Sequence, residues 1–328
     1  MKDYITRKIV KKYNQKYIYK YFDKDNNSVK DSIVKCYLEG LYIPPAHDNV
    51  KINLNKKDKI LAIGYDTKNR AQYVYNKEYV KKQSEKKFNH MIEFGESYQK
   101  ILKQINKDLY LEKDTKEKQI AMILKLVIDC SFRIGNDKYT KDNKSYGVST
   151  LETKHIKIKK SSVNIDFIGK KGVRNQCTVK NKRLIRNLKN KKRTLHKNDR
   201  LFSYRNKHKY YPIQSKDVNK YLQKFGKFST KNFRTWGANI KLIQCILNYD
   251  LSIESSIKQK QEMINQCIQK VADKLHNTKS VCKSNYIDPL LLETILNDTR
   301  YFLSVFQDCK SDVDYTTAYI HFLKQLLV

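Results

Sequence analysis

The chain has 328 residues, enough for two domains of ordinary size with a sizeable core in at least one, and 40% of them are hydrophobic, too many for wholesale disorder. Lys and Arg number 68 against 33 Asp and Glu, a formal net charge of +35. Like charges in such excess repel one another in a compact state, so the balance implies a polyanionic partner, nucleic acid first, and no long apolar run or lipidation pattern points to a membrane instead.

The first eighty or so residues read as short strands. Segments 29–37, 50–53, 60–65 and 71–75 carry β-branched and aromatic residues between polar turns. Ile43-Pro44-Pro45 forces an extended corner among them. From about Val80 the period changes. Segments 81–108 and 115–132 have helical apolar spacing, the second through Ile120, Met122, Ile123, Leu126, Val127 and Cys130. The charged stretch 82–86 marks the boundary, giving an N-terminal domain over 1–83 and a second over 84–328. Segments 155–159, 163–168 and 176–179 then read as strands, with turns at 160–162 and 169–175. Helical patterns return at 184–188, 218–225, 238–248, 257–274 and 289–306. The expected class is α+β: a small β-rich N-terminal domain and a larger, mainly helical domain holding a small antiparallel sheet.

Seven cysteines, Cys36, Cys130, Cys177, Cys245, Cys267, Cys282 and Cys309, are widely spaced and form no CxxC pair. That spacing argues against zinc and against a disulfide framework, and favours a reducing intracellular compartment. After Met1, the residues Lys2, Asp3, Arg7 and Lys8 break up any apolar signal-like stretch. There is no P-loop, no GxGxxG and no HExxH, and acids do not cluster as two Mg²⁺ ions require. No cofactor and no metal are expected. Phosphoryl transfer on such a chain has to stabilise its transition state with cationic side chains.

Several separated segments suit that chemistry. They are Phe132-Arg133-Ile134-Gly135-Asn136 with Tyr139, Tyr146-Gly147-Val148 and Thr150-Leu151; Ile168-Gly169-Lys170; Lys231-Asn232-Phe233-Arg234-Thr235-Trp236; and Leu275-His276-Asn277-Thr278 followed by Val281-Cys282-Lys283-Ser284-Asn285-Tyr286-Ile287-Asp288-Pro289. Together with Ile43-Pro44-Pro45-Ala46 and Gln72-Tyr73-Val74-Tyr75, and in this order, they resemble the type IB DNA topoisomerases of poxviruses, giant viruses and bacteria.

The resemblance implies a tyrosine recombinase/topoisomerase IB-like fold and a set of roles. Tyr286 attacks a phosphodiester to give a 3′-phosphotyrosine. Arg133 and Arg234 hold the non-bridging oxygens. Lys170 protonates the leaving 5′-oxygen, and Lys231 assists it. A His or Asn nine residues before the nucleophile completes the set; register selects Asn277, with His276 adjacent as the alternative. His276 stands where the family has Gly and Lys279 where it has Pro, which puts the shape of this loop in question. Tyr139 contacts the DNA backbone by the same resemblance, and the implied partner is double-stranded DNA clamped by a monomer with no obligate protein partner. The short chain and its poxvirus likeness suggest a viral origin, acting in a virion or at a viral replication site.

Taken singly, each residue has a plainer reading. Tyr286 is one of 24 tyrosines, Arg133 complements a helix C-terminus, and Lys170 lies in a Gly-Lys-Lys-Gly turn that solvent alone explains. Tyr73 and Tyr75 alternate onto one strand face beside Arg70 and Gln72, which suits a DNA groove. The basic stretch with Lys180, Arg183 and Arg186 suits phosphates and a solvated helix face equally. Two other functions share these residues. A tyrosine recombinase has the same Arg, Lys and Tyr set but usually a His-x-x-Arg signature, where this chain has Lys231-Asn232-Phe233-Arg234. A catalytically inactive DNA-binding protein of the same fold has no reason to retain all four.

Overall fold

The computed structural model describes residues 1–14, 16–67, 69–206, 209–249 and 251–327, and the chain divides into two units, Met1–Lys87 and Phe88–Val328. The first unit contains β1 (Tyr4–Tyr13), β2 (Lys16–Phe22), β3 (Ser28–Val29), α1 (Asp31–Leu38), β4 (Asp48–Asn53), β5 (Ile60–Tyr65) and β6 (Ala71–Tyr75). Its strands form one antiparallel sheet in the order β3-β2-β1-β4-β5-β6. The strands expected at 50–53, 60–65 and 71–75 are β4, β5 and β6. The strand expected over 29–37 is a helix after Val29. Its apolar residues keep a period near 3.6: Val34 is fully buried, and Tyr37 and Leu38 pack toward Ile43, Val50, Ile52 and Ala62. The β1–β2 hairpin escaped the sequence because a cation takes an inward position. Arg7 is buried, with Nη2 donating to the carbonyls of Pro44 (3.0 Å) and His47 (2.9 Å) and its guanidinium over the Tyr19 ring.

The long helix α2 (Lys77–Leu109) contains the division at Lys87/Phe88. The second unit continues with α3 (Lys116–Cys130), α4 (Asp137–Asn143), β7 (Ile156–Ile158), β8 (Val163–Ile168), β9 (Arg174–Val179), α5 (Lys182–Thr194), β10 (Ser203–Asn206), β11 (Lys209–Pro212), α6 (Ser215–Leu222), α7 (Thr230–Leu247), α8 (Ile257–Lys274), α9 (Lys279–Asn285), α10 (Pro289–Asn297), α11 (Thr299–Phe306) and α12 (Asp312–Leu327). The β7-β8-β9 sheet is antiparallel. The helix expected over 289–306 is two helices, because Asp298 leaves helical geometry and its side chain caps α11 at the Tyr301 amide. Neither α4 nor α9 was anticipated; seven residues are too few to show a period.

One core runs through this unit, and α7 sits at its centre with Phe233, Trp236, Leu242, Ile243 and Ile246 buried. Phe94 on α2 meets Phe233 and Trp236 edge-on at 5.0 and 6.0 Å. Next to it, Gly95 leaves the space that the Trp236 ring fills, since a Cβ there would lie 2.5 Å from that ring.

The cysteine expectation is corrected. Cys130 pairs with Cys177 and Cys245 with Cys267 as disulfides, each with Cα atoms 5.7 Å apart, while Cys36, Cys282 and Cys309 are free. Partners separated by 47 and 22 residues meet only through packing of α3 on β9 and α7 on α8, which no local spacing announces. The inference of a reducing compartment loses that support. Among the described residues no helix is long and apolar enough to cross a membrane.

Candidate active site

Helix α3 ends at Ser131 in the left-handed region, which turns the chain so that Phe132 is buried and Arg133 is half-exposed. The following loop is pinned by a second pass of the chain: the amides of Val148 and Ser149 donate to the carbonyls of Arg133 (2.9 Å) and Ile134 (2.7 Å). The two passes touch at Gly135 and Gly147. A Cβ at Gly147 would collide with the Gly135 backbone, and Gly135 itself has φ +91°, so both positions require glycine. Arg133 is thus carried on a rigid crossing.

Helix α7 starts with a capping box between Ser229 and Asn232, leaving Lys231 exposed in its first turn and turning Arg234 inward. Arg234 is 5% exposed. Its Nη2 donates to the carbonyl of Leu275 (3.0 Å), an acceptor left over at the end of α8, and its guanidinium lies 5.3 Å from the centre of the Tyr286 ring. Nε and Nη1 of Arg234 are buried without a well-formed hydrogen bond. Among the described residues no carboxylate pairs with Arg234 or Arg133. Such charge without an acid is costly to bury and implies an anion that completes it.

Helix α8 closes with the His276 amide on the Asp273 carbonyl and the Asn277 amide on the Ala272 carbonyl, placing His276 at φ +51°. A left-handed residue here explains why glycine suits this position better than any other residue. The His276 ring packs on Phe132 at 5.5 Å, and burial, then Arg234, Lys274 and Arg133, push its pKa down. Asn277 is the residue that joins the cluster: its Oδ1 accepts from Arg133 Nη2 at 2.6 Å, while its Nδ2 is buried with no settled partner beside the Tyr286 phenol.

Tyr286 follows α9 and is 8% exposed. Burial alone raises a phenol's pKa; here Arg234, Arg133 and Asn277 outweigh it and hold Tyr286 below the ordinary tyrosine value. Its amide donates to the Cys282 carbonyl at 3.0 Å and its carbonyl accepts from Asn239 Nδ2 at 3.0 Å. Asn239, wholly buried on α7, was not singled out in the sequence; the signal was an amide in the middle of an apolar helix face.

Two predicted residues stand apart from this cluster. Lys170 is exposed in the β8–β9 turn, built by Lys171 at φ +64° and Gly172 at φ +75°, and Lys231 is exposed on α7. Among the described residues neither makes a hydrogen bond to Arg133, Arg234 or Tyr286. The hairpin of Lys170 is nonetheless anchored near them, since Phe167 of β8 packs edge-on against Phe132 at 4.9 Å.

The predicted DNA contacts also divide. Tyr73 and Tyr75 are exposed and stacked at 6.1 Å; Arg70 and Gln72 flank them, both bonded to Asp66. Tyr139 is exposed on α4. Lys180 and Arg186 line a cleft of about 550 Å³ with Lys160, Lys182, Lys189 and Arg193 and no acid. Arg183 is half-exposed and also donates to the carbonyls of Leu109 (3.4 Å) and Tyr110 (2.9 Å) and stacks on Tyr110, so it caps the end of α2.

The family model described as "Eukaryotic DNA topoisomerase I, catalytic core" matches residues 76–302. The chain is 32% identical over 300 residues to DNA topoisomerase 1B of Acanthamoeba polyphaga mimivirus, covering 89% of this chain and 88% of that protein. It is 26% identical over 248 residues to DNA topoisomerase 1B of Vaccinia virus (strain Copenhagen), covering 75% of each. DNA topoisomerase 1 of Mycosarcoma maydis is 26% identical over 224 residues, 61% of this chain and 22% of that protein.

Proposed function

The chain belongs to the type IB DNA topoisomerases, and from that membership we propose that it relaxes supercoiled DNA with Tyr286 as nucleophile. The Tyr286 phenol gives its proton to solvent, its Oη attacks the phosphorus of one strand, the P–O5′ bond breaks, and a 3′-phosphotyrosine and a free 5′-hydroxyl result. Arg133, Arg234 and Asn277 donate to the non-bridging oxygens as charge builds on them. Lys170, assisted by Lys231, delivers the proton that the leaving oxygen needs. The ester keeps the energy of the broken bond, so after the downstream duplex has rotated the 5′-hydroxyl reverses the reaction without ATP. The charge of the transition state is met by guanidinium groups, and the scheme calls for neither metal nor cofactor.

The observation that carries this reading is a pair of guanidiniums with no carboxylate partner among the described residues, and with unmatched N–H donors on one of them, around a tyrosine of lowered pKa. We assign DNA clamping to the N-terminal domain, through Tyr73 and Tyr75 with Arg70 and Gln72, and backbone contacts to Tyr139, Lys180 and Arg186. A monomer acting inside the cell, at a viral replication site or in a virion, suffices for one nick. Neutralising roughly 6–10 phosphates would weaken binding by about 10³–10⁵ between 50 and 200 mM salt.

The test uses supercoiled plasmid in EDTA without ATP. Stepwise relaxation by the wild type, absent in Tyr286→Phe, is the expected result. Relaxation that persists in Tyr286→Phe would remove this tyrosine as nucleophile, and none by either protein would sink the activity.

A further inference from the structure

The main chain of Tyr286, Ile287 and Asp288 bridges α9 and α10, and it is fastened from two sides. On one side a single side chain of α7 holds both ends of the bridge. Asn239 Nδ2 donates to the Tyr286 carbonyl (3.0 Å) and to the Thr235 carbonyl (3.0 Å), while its Oδ1 accepts from the Asp288 amide (2.8 Å). Arg234, next to Thr235, stands on the same stretch of helix, so the guanidinium and the peptide of the tyrosine share one support.

On the other side stands Asp288, whose carboxylate is wholly buried. One oxygen caps α10 at the Leu290 amide (3.0 Å), behind a proline at the first helical position. An N-cap needs only that oxygen and works at the surface. The other oxygen accepts from Tyr319 Oη of α12 at 3.0 Å. Tyr319 is also wholly buried, with its ring 5.0 Å from that of Trp236, two residues beyond Arg234. Burial and Asp288 raise the Tyr319 phenol well above its usual value, so it remains a donor. Taking a carboxylate out of water costs stability, and capping α10 does not by itself call for that burial. What the pair adds is geometry: it ties the C-terminal helix to the peptide two residues beyond Tyr286.

We propose that Asp288 and Tyr319 are positioning residues, through which α12 fixes the main chain at Tyr286 and keeps its phenol against Arg234 during cleavage and resealing. The inference rests on Tyr286 being the nucleophile. A small displacement at a reacting atom is enough to slow chemistry by about two orders of magnitude, while leaving DNA contacts elsewhere intact.

Tyr319→Phe removes only the hydroxyl and keeps the ring in place. Single-turnover cleavage of a suicide duplex, from which the strand beyond the nick dissociates, is measured with DNA affinity and the pH profile of cleavage. The expected result is a loss of about tenfold or more in cleavage rate at unchanged affinity, with the rising limb of the profile moved to higher pH as the phenol leaves the guanidinium. Asp288→Asn is expected to give a loss of the same kind, and the double variant to be no slower than the slower single one. A Tyr319→Phe protein with wild-type rate and pH profile overturns the proposal, as does a rate loss matched by equal losses of affinity and thermal stability. Cleavage by Tyr286→Phe in the same assay overturns instead the reading on which it rests.

Discussion

The buried and the exposed halves of the candidate active site are built on opposite plans. Arg234, Asn277 and Arg133 all act on Tyr286, from segments fixed by glycine crossings, helix ends and the core, whereas Lys170 and Lys231 stand in solvent on a turn and a first helical turn. The roles proposed for the two kinds of cation account for the difference. A guanidinium keeps its charge even when desolvated, so it can be placed in advance where charge will develop. An ammonium buried beside two guanidiniums would lose its proton, and a general acid without a proton is useless. It is better kept in water and brought to its oxygen by the bound duplex.

Breaking the exposed half should have the larger effect on chemistry. Lys170→Ala is expected to slow single-turnover cleavage by about 10²–10⁴. A substrate whose leaving group needs no proton should restore most of that rate, and a loss persisting on such a substrate would contradict the assignment. Breaking the buried half by Arg234→Lys should cost about 10²–10³ despite conserved charge, because an ammonium cannot bond the Leu275 carbonyl and a phosphate with the same planar geometry. Here the leaving group should make no difference, which separates the two halves in one pair of measurements.

The pH dependence sharpens the contrast. On the proposed mechanism the attacking form is the phenolate, whose fraction rises with pH, and a lowered pKa brings that rise to lower pH. Cleavage should therefore level off below the ordinary tyrosine value of about 10. Arg133→Ala or Arg234→Ala removes a charge that lowers the phenol's pKa, so the rise should move to higher pH; an unmoved profile would show that the rise belongs to another group. A smaller effect, about tenfold, is expected for Asn277→Ala, which removes one neutral donor. His276→Ala should cost less still, since its ring lies on Phe132. Finally, alkylation after unfolding without reductant should label three thiols, and seven with reductant; seven in both would show the two cysteine pairs to be open.

The legible part of the molecule was the part encoded locally. Strand β5 over 60–65 and helix α8 over 257–274 have unbroken patterns, and Arg133, Arg234 and Tyr286 lie in short runs that carry their own signature. The illegible part depends on partners distant in sequence. Nothing near Arg183 says that it will cap α2, and nothing near Asp288 mentions Tyr319, 31 residues on. Arg7 misled for a related reason: a buried cation held by two carbonyls breaks the alternation that marks a strand.

The gap left by Gly95 for Trp236 has a genetic side. Every change in the first or second base of a glycine codon installs a larger residue or a stop, so no such substitution at 95 is silent in the packing of α7, the helix that carries Arg234. An exposed side chain with no packed neighbour would leave room for such a change. At position 95 there is no such room, so the helix that carries Arg234 depends on a residue that takes no part in the site.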